Sequence, residues 1–129
     1  MATLKPTLTL ESTGGSSGVS ENATLSLSVT DELTVTSPTV MLTRIVVDTT
    51  GANNIFQAST DNNVARYIYV KHTGVNSDGD VNTATLHIEK TDNTELAKLA
   101  ADEFAFFPCV AALQLQSSSS NIVAEYAYL

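Results

Sequence analysis

The sequence contains few of the residues from which nucleic-acid-binding surfaces and metal centres are commonly built. Its 129 residues include one cysteine, two histidines, no tryptophan and only six Lys and Arg, against fourteen Asp and Glu. The formal net charge is therefore −8. Because binding to nucleic acid depends on clustered Lys and Arg side chains, this balance predicts a protein that does not bind nucleic acid.

The sequence also lacks a long apolar run, and no basic segment followed by an apolar one stands near its start. It opens with the mixed segment 1–6, MATLKP. We therefore expect no membrane span and no secretory signal, and synthesis in the cytoplasm. Cys109 cannot form an intramolecular disulfide, and its apolar neighbours at 106–110 favour an inert packed thiol over a reactive one.

The residues that are abundant favour β structure. The chain is 43% hydrophobic but only 16% charged, and Ser, Thr and Asn fill much of the difference. These three residue types suit turns and pleated surfaces better than helix interiors. A chain of this length fits one domain with a real core, because folding buries roughly two thirds of the unfolded surface.

Alternation of apolar and polar residues predicts eight or nine short strands. Within 23–29, for example, Leu25, Leu27 and Val29 fall on one face of a half-buried strand. In the segment 66–71, Ile68 and Val70 are expected to face the core. The same two-residue period recurs at 33–35, 40–48, 83–89, 104–107, 113–115 and 121–129.

Segments rich in Gly, Asn, Asp and Ser separate these strands and predict turns. They lie at 13–18, 30–31, 50–54, 76–80 and 117–120. Since no recurring helical pattern supplies parallel crossovers, we expect an antiparallel β-sandwich that resembles a jelly roll. The one helical candidate is 94–102, where a strand at 97–99 paired with 104–106 across a turn is favoured over a helix.

We expect two parts in the chain. Residues 1–20 should form an N-terminal strand or arm with a flexible Gly/Ser loop, and residues 21–129 a single β-sandwich domain.

No motif for catalysis or metal binding is complete. The segment 76–80, NSDGD, has oxygen ligands at alternate positions, but a calcium loop would need Gly and Glu where Val81 and His87 stand. A hairpin tip is therefore favoured there. The glycine-rich segment 14–18 lacks the Lys of a phosphate-binding loop.

The two histidines do not form a complete set of metal ligands. His72 and His87 are expected on strands that pair through the 73–80 loop, as surface or edge residues. Together with the distant Cys109 they fall short of a zinc ligand set. A metal-dependent enzyme of the double-stranded β-helix class would need more histidines, and no nucleophile elbow is present. We expect no catalytic residue, no metal, no cofactor and no enzymatic activity.

Four segments have strand-and-turn patterns that together span most of the chain. They lie at 98–108 (KLAADEFAFFP), 5–10 (KPTLTL), 25–31 (LSLSVTD) and 123–128 (VAEYAY). These segments resemble small virion structural proteins of tailed phages, especially marine ones. Such relatives have a Pro-Gly or similar turn before the Glu-Phe-Ala-Phe-Phe segment, whereas this chain has Ala101 and Asp102 there, so the type of this turn is left open.

The resemblance implies a capsid decoration, cement or head-fibre protein located on the virion surface. Its partner would be the major capsid protein, and the resemblance implies no catalysis. A protein that binds only the assembled shell stabilises that shell by mass action. For self-association, a trimer at local three-fold positions is the arrangement we expect first.

The candidate capsid-contacting segment is the N-terminal arm. The Gly/Ser stretch at 13–18 would let the arm swing away and add a strand to a neighbour or lie along the shell. The alternative, that these residues form the first strand of the domain, fits the sequence equally well. The segment consists of Leu4, Lys5, Pro6, Thr7, Leu8, Thr9 and Leu10.

The rival interpretation is a carbohydrate- or receptor-binding adhesin domain of a phage fibre or tail. Tyr67, Tyr69, Tyr126 and Tyr128 stand at alternate strand positions and could form a sugar platform or an interface patch. Packing in the core or on the sheet surface is the favoured interpretation of these tyrosines. The absence of tryptophan weakens the adhesin interpretation.

Overall fold

The computed structural model describes residues 2–11, 26–35, 40–50, 53–56, 66–109 and 111–128. These residues form antiparallel β structure with no helix, as the alternation predicted. The chain divides into two compact units, Met1–Ser37 and Pro38–Leu129. The strands are β1 (Ala2–Leu4), β2 (Thr7–Glu11), β3 (Ser26–Thr30), β4 (Leu33–Val35), β5 (Val40–Val47), β6 (Asn53–Phe56), β7 (Arg66–His72), β8 (Leu86–Lys90), β9 (Glu95–Leu99), β10 (Phe104–Cys109), β11 (Leu113–Ser117) and β12 (Ile122–Tyr128).

The larger unit, Pro38–Leu129, is a jelly-roll sandwich. Its first sheet has the strand order β10-β7-β12-β5, and its second sheet has the order β6-β11-β8-β9. All of these neighbours are antiparallel, and β5 pairs with β12, β6 with β11, β7 with β10 and β8 with β9. This nested pairing of first strand with last is the pattern of a long hairpin rolled into two sheets.

The core lies between the two sheets because alternate residues of their strands point inward. On β7, Ile68 and Val70 are buried as predicted, and they face Leu86 and Ile88 of β8 in the same cluster. Among the residues whose burial the structure describes, the buried apolar ones all belong to the larger unit: Val47, Ile55, Ile68, Val70, Ala84, Leu86, Ile88, Leu99, Leu113, Leu115, Ile122 and Ala124.

The segment 94–102 contains a strand and a turn, as expected, but the predicted hairpin is wrong. β9 pairs with β8 in the second sheet, whereas β10 pairs with β7 in the first. The turn between β9 and β10 places Asp102 at φ 67° and is closed by a hydrogen bond from Glu103 N to Ala100 O. This connection therefore crosses from one sheet to the other.

Two further expectations about neighbours fail in the same way. β7 and β8 lie in different sheets, so they do not pair through the 73–80 loop. The segment 50–54 was predicted as a turn, yet β6 begins at Asn53 and pairs with β11. The 76–80 segment does form a hairpin tip: Val75 and Val81 form a β-bridge, and Gly79 N donates to Asn76 O.

The smaller unit, Met1–Ser37, is made of two antiparallel strand pairs, β1 with β4 and β2 with β3. β3 was expected to be half-buried, but all five of its residues are exposed. The Gly/Ser segment and the domain boundary expected near residue 20 lie outside the described residues. Within those residues, the strands at 26–35 pair with residues 2–11.

Candidate binding surfaces

The residues of the predicted arm form most of a two-stranded ribbon. Leu4 belongs to β1, while Thr7, Leu8, Thr9 and Leu10 belong to β2. The two residues between the strands are Lys5, which forms an ion pair of 3.2 Å with the exposed carboxylate of Glu32, and Pro6, whose carbonyl accepts from Asp31 N.

The β2–β3 ribbon has one apolar face. The register places Leu8 opposite Val29 and Leu10 opposite Leu27, so these four side chains share one side of the ribbon. They are 40–51% exposed. The other side carries Thr7 opposite Thr30 and Thr9 opposite Ser28. We call Leu8, Leu10, Leu27 and Val29 the apolar ribbon face.

Burial of the apolar ribbon face would contribute favourable free energy to binding. A two-stranded ribbon alone in water is marginally stable, because it cannot cover its own apolar side chains. Complete burial of one Leu or Val contributes about 1.5–3 kcal/mol, so covering the exposed part of these four would contribute about 3–5 kcal/mol. Among the described residues β2 and β3 pair only with each other, and such a ribbon suits a partner that offers an apolar surface or an open sheet edge.

A second surface lies on the outer side of the first sheet. Tyr67 and Tyr69 of β7 point outward, and they meet Phe106 and Phe104 of β10. The Tyr67 and Phe106 rings stack with centroids 5.8 Å apart, and the Tyr69 and Phe104 rings lie 6.4 Å apart at a tilt of 35°. Phe104 is 63% exposed. We call these four residues the aromatic patch.

The same outer side continues across the sheet with few charges. Leu42 and Val46 of β5 are exposed, and between them Arg44 forms an ion pair with Glu125 of β12 at 2.7 Å. Glu125 also stands opposite Lys71 of β7 in the register. The outer side of the first sheet is therefore mostly apolar, and its central charges largely compensate one another.

The four tyrosines do not form one platform. Tyr67 and Tyr69 belong to the aromatic patch, whereas Tyr126 and Tyr128 are partly buried and pack against the core. The alternation places them so, because Tyr126 and Tyr128 are in step with the buried Ile122 and Ala124 on β12. The favoured interpretation, packing in the core or on the sheet surface, fits both pairs.

The outer side of the second sheet is polar. Glu89 is 6% exposed and Gln114 is 3% exposed. Gln114 Nε2 donates to Glu89 Oε2 at 3.2 Å and to Asn93 Oδ1 at 2.9 Å. His87 Nδ1 lies 3.1 Å from Glu95 Oε2 and 3.8 Å from Glu89 Oε1. Sequence spacing gave a partial signal, since residues 87 and 89 fall on one side of a strand.

His72 was expected at a surface or edge, and this is wrong: its side chain is completely buried. Its Nδ1 accepts from Gly74 N at 2.9 Å, and its Nε2 donates to Ala84 O at 2.9 Å. The ring therefore joins β7 to the segment before β8. The signal was available in the sequence, since His72 continues the buried positions Ile68 and Val70 at a period of two.

Cys109 is half-buried and packs against the core from β10. Its Sγ lies 3.4 Å from Ala111 O. Together with Leu96, Ala97 and Phe107 it lines an open cleft of about 370 Å³. The packing matches the expected apolar setting of this thiol.

No known protein family matches the chain, and no curated protein or solved structure is found to resemble it. Among the described residues there is no helix of the length and apolar character needed to cross a membrane. The function is therefore inferred from the surfaces described above and from the resemblance of the sequence segments.

Proposed function

We propose that this protein is a virion structural protein that binds the outside of a tailed-phage capsid and stabilises it, as a decoration or cement protein. The observation that carries the proposal is the apolar ribbon face, Leu8, Leu10, Leu27 and Val29, whose side chains are 40–51% exposed. It includes Leu8 and Leu10, two residues of the segment 4–10 that the sequence analysis offered as a capsid-contacting arm. The partner in this proposal is the major capsid protein.

The arrangement of the larger unit supports a binding role over catalysis. A jelly-roll sandwich offers rigid sheet faces, and here one outer face is rich in exposed aromatic and aliphatic residues while the other is polar. Exposed apolar patches of this kind typically mark interaction sites. Because a sheet face is held by cross-strand pairs, binding through it needs little reorganisation of the backbone.

Stabilisation of the shell follows from the same contacts. A protein that binds the assembled lattice but not free subunits shifts the assembly equilibrium toward the lattice. Many weak contacts on one particle add up, so a modest free energy for each copy is sufficient. A trimer at local three-fold positions remains the oligomeric state that we predict.

Point substitutions on the ribbon test the proposal. The double variant L8T/L10T removes the apolar side chains and introduces β-branched threonine, which suits a strand. The matched control T7S/T9S alters the polar side of the same strand. We expect L8T/L10T to reduce binding to capsids that lack the protein by at least about tenfold, because about 1.4 kcal/mol corresponds to a factor of ten. The control should bind like the wild type, and equal binding by both variants would contradict the role of the ribbon.

The second candidate is a carbohydrate-binding adhesin domain, and the aromatic patch is the observation that favours it. Stacked Tyr and Phe rings on a sheet can pack against the apolar face of a sugar. Saturable binding to a glycan array, abolished by F104S/F106S and kept by L8T/L10T, would support this function. Binding to capsids without any glycan binding would favour the decoration protein.

A further inference from the structure

We propose that His87, Glu89 and Glu95 form a zinc site on the outer side of the second sheet. The three side chains come from two adjacent strands, β8 and β9, and one ligand atom from each lies within 4.8 Å of the other two. Imidazole nitrogen and carboxylate oxygen are both ordinary zinc ligands. Neither the proposed capsid role nor the sequence motifs require this site.

The hairpin between β8 and β9 assembles the cluster. His87 and Glu89 are two residues apart on β8, so both point outward. The register of the β8–β9 pair shifts between Ile88 and Glu89 of β8. This shift brings Glu95 of β9 opposite Glu89. This irregularity aligns the carboxylate of Glu95 with the two side chains of β8, and its Oε2 lies 3.1 Å from His87 Nδ1.

Two of the three ligand separations are close to those around a tetrahedral ion. Zinc binds nitrogen and oxygen at about 2.0–2.2 Å, so two ligands of one tetrahedron are separated by roughly 3.3–3.6 Å. The observed separations of His87 Nδ1 from Glu95 Oε2 and from Glu89 Oε1 are 3.1 and 3.8 Å, on either side of that range. All three ligand atoms lie within 4.8 Å of one another, so side-chain torsions must adjust to bring every pair into that range.

Glu89 is the buried member of the cluster. Its side chain is only 8% exposed, and a buried carboxylate is expected to be paired or to coordinate a metal. Oε2 accepts a hydrogen bond from Gln114 Nε2, while Oε1 accepts none from any residue that the structure describes. That oxygen is directed toward His87, 3.8 Å away. Gln114 thus holds the carboxylate with one oxygen available to a cation.

The surrounding charges allow a divalent ion. Glu89 and Glu95 together neutralise its charge when His87 is the neutral ligand. Lys98 Nζ lies 3.3 Å from Glu95 Oε2, but the second oxygen of that exposed carboxylate remains for the lysine when the first binds metal. The imidazole ligand selects zinc over calcium, because calcium prefers six to eight oxygen ligands.

The experiment is calorimetric titration of the full chain with zinc chloride, and with calcium chloride as the comparison. We expect one zinc ion per chain and a raised Tm, with no response to calcium. His87→Ala and Glu95→Gln should weaken zinc binding by at least about tenfold. Glu95 is exposed, so that variant tests the site without disturbing the core. Glu32→Gln, which changes an exposed carboxylate of the smaller unit, should bind zinc like the wild type.

The ring signals of the two histidines provide a second measurement by NMR. Zinc should shift the His87 ring signals and leave those of the buried His72 unchanged. Absence of saturable zinc binding would overturn the proposal, as would binding that His87→Ala and Glu95→Gln leave unaltered. In the latter case zinc would be bound elsewhere, for example at Cys109. If zinc binds as proposed while capsid binding fails, the site stands and the decoration role does not.

Discussion

At the residue scale, the larger unit depends on buried polar groups whose hydrogen bonds are satisfied inside the protein. His72 is the clearest example, since its two ring nitrogens satisfy the Gly74 amide and the Ala84 carbonyl inside the protein. A buried backbone group that loses its partner costs about 1–3 kcal/mol. The side chain therefore acts as a fixed connector between β7 and the strand that follows it in the other sheet.

Replacement of His72 by Phe should lower the free energy of unfolding by about 2–4 kcal/mol, because both backbone partners lose their hydrogen bonds. Urea denaturation followed by circular dichroism measures this change. His87→Phe is the matched control, measured without metal, and should cost less than about 1 kcal/mol because His87 is only partly buried. Equal costs for the two variants would contradict the connector role of His72.

Two glycines allow the cost of backbone strain to be measured apart from the cost of a side-chain contact. Gly74 has φ +79° and Gly79 has φ +88°, so alanine is strained at both. A Cβ at Gly74 would lie 2.8 Å from Asp102 Oδ1, whereas a Cβ at Gly79 meets nothing within 4 Å. We expect Gly79→Ala to cost about 1–2 kcal/mol and Gly74→Ala to cost clearly more. Thermal unfolding of both variants tests this, and Gly74→Ala introduced into D102A, measured against D102A alone, should cost about as much as Gly79→Ala because the contact is removed.

At the element scale, the strands were largely predictable and their neighbours were not. Alternation is a local property, and it located β5, β7, β10, β11 and β12. Sheet membership depends on contacts that are distant in sequence, so β9 and β10 looked like a hairpin although they lie in different sheets. For the same reason Glu95 could not be assigned to the neighbourhood of His87 from spacing alone.

The local alternation also could not predict whether β3 is buried or exposed. The alternation in Leu27 and Val29 is real, but their side of the ribbon is exposed. Period two reports that one face is apolar and does not report whether that face is covered. At binding surfaces, a strand with an exposed apolar face has the same sequence pattern as a core strand. The pattern therefore cannot tell the two apart.

The two kinds of strand should differ in amide hydrogen exchange. β12 pairs on both sides, with β5 and β7, whereas β2 and β3 pair with each other through one ladder. We expect amides of β2 and β3 to exchange at least about a hundredfold faster than those of β12 in the free protein. Binding to capsids should slow exchange in the ribbon selectively. Equal protection of ribbon and β12 in the free protein would contradict the account of an uncovered ribbon.

At the scale of the whole molecule, the core formed by the described residues lies in one unit. Every residue of the buried apolar cluster falls between Val47 and Ala124, and both four-stranded sheets lie within Pro38–Leu129. A unit that contains its own core is expected to fold by itself.

The chain truncated to residues 38–129 should therefore unfold cooperatively, with a Tm close to that of the full chain, since the core is unchanged. Calorimetry of the two proteins measures this. The truncated chain should also fail to bind capsids, because the apolar ribbon face is absent. An unfolded 38–129 fragment would show that Met1–Ser37 is required for the fold.

The central claim is that this protein attaches to the outside of an assembled shell and strengthens it. The most direct test is co-sedimentation of the purified protein with expanded capsids that lack it, combined with the temperature at which those capsids burst. We expect saturable binding and a raised bursting temperature. Both effects should be smaller with L8T/L10T and unchanged with T7S/T9S. Absence of binding, or binding that leaves the bursting temperature unchanged, would contradict it.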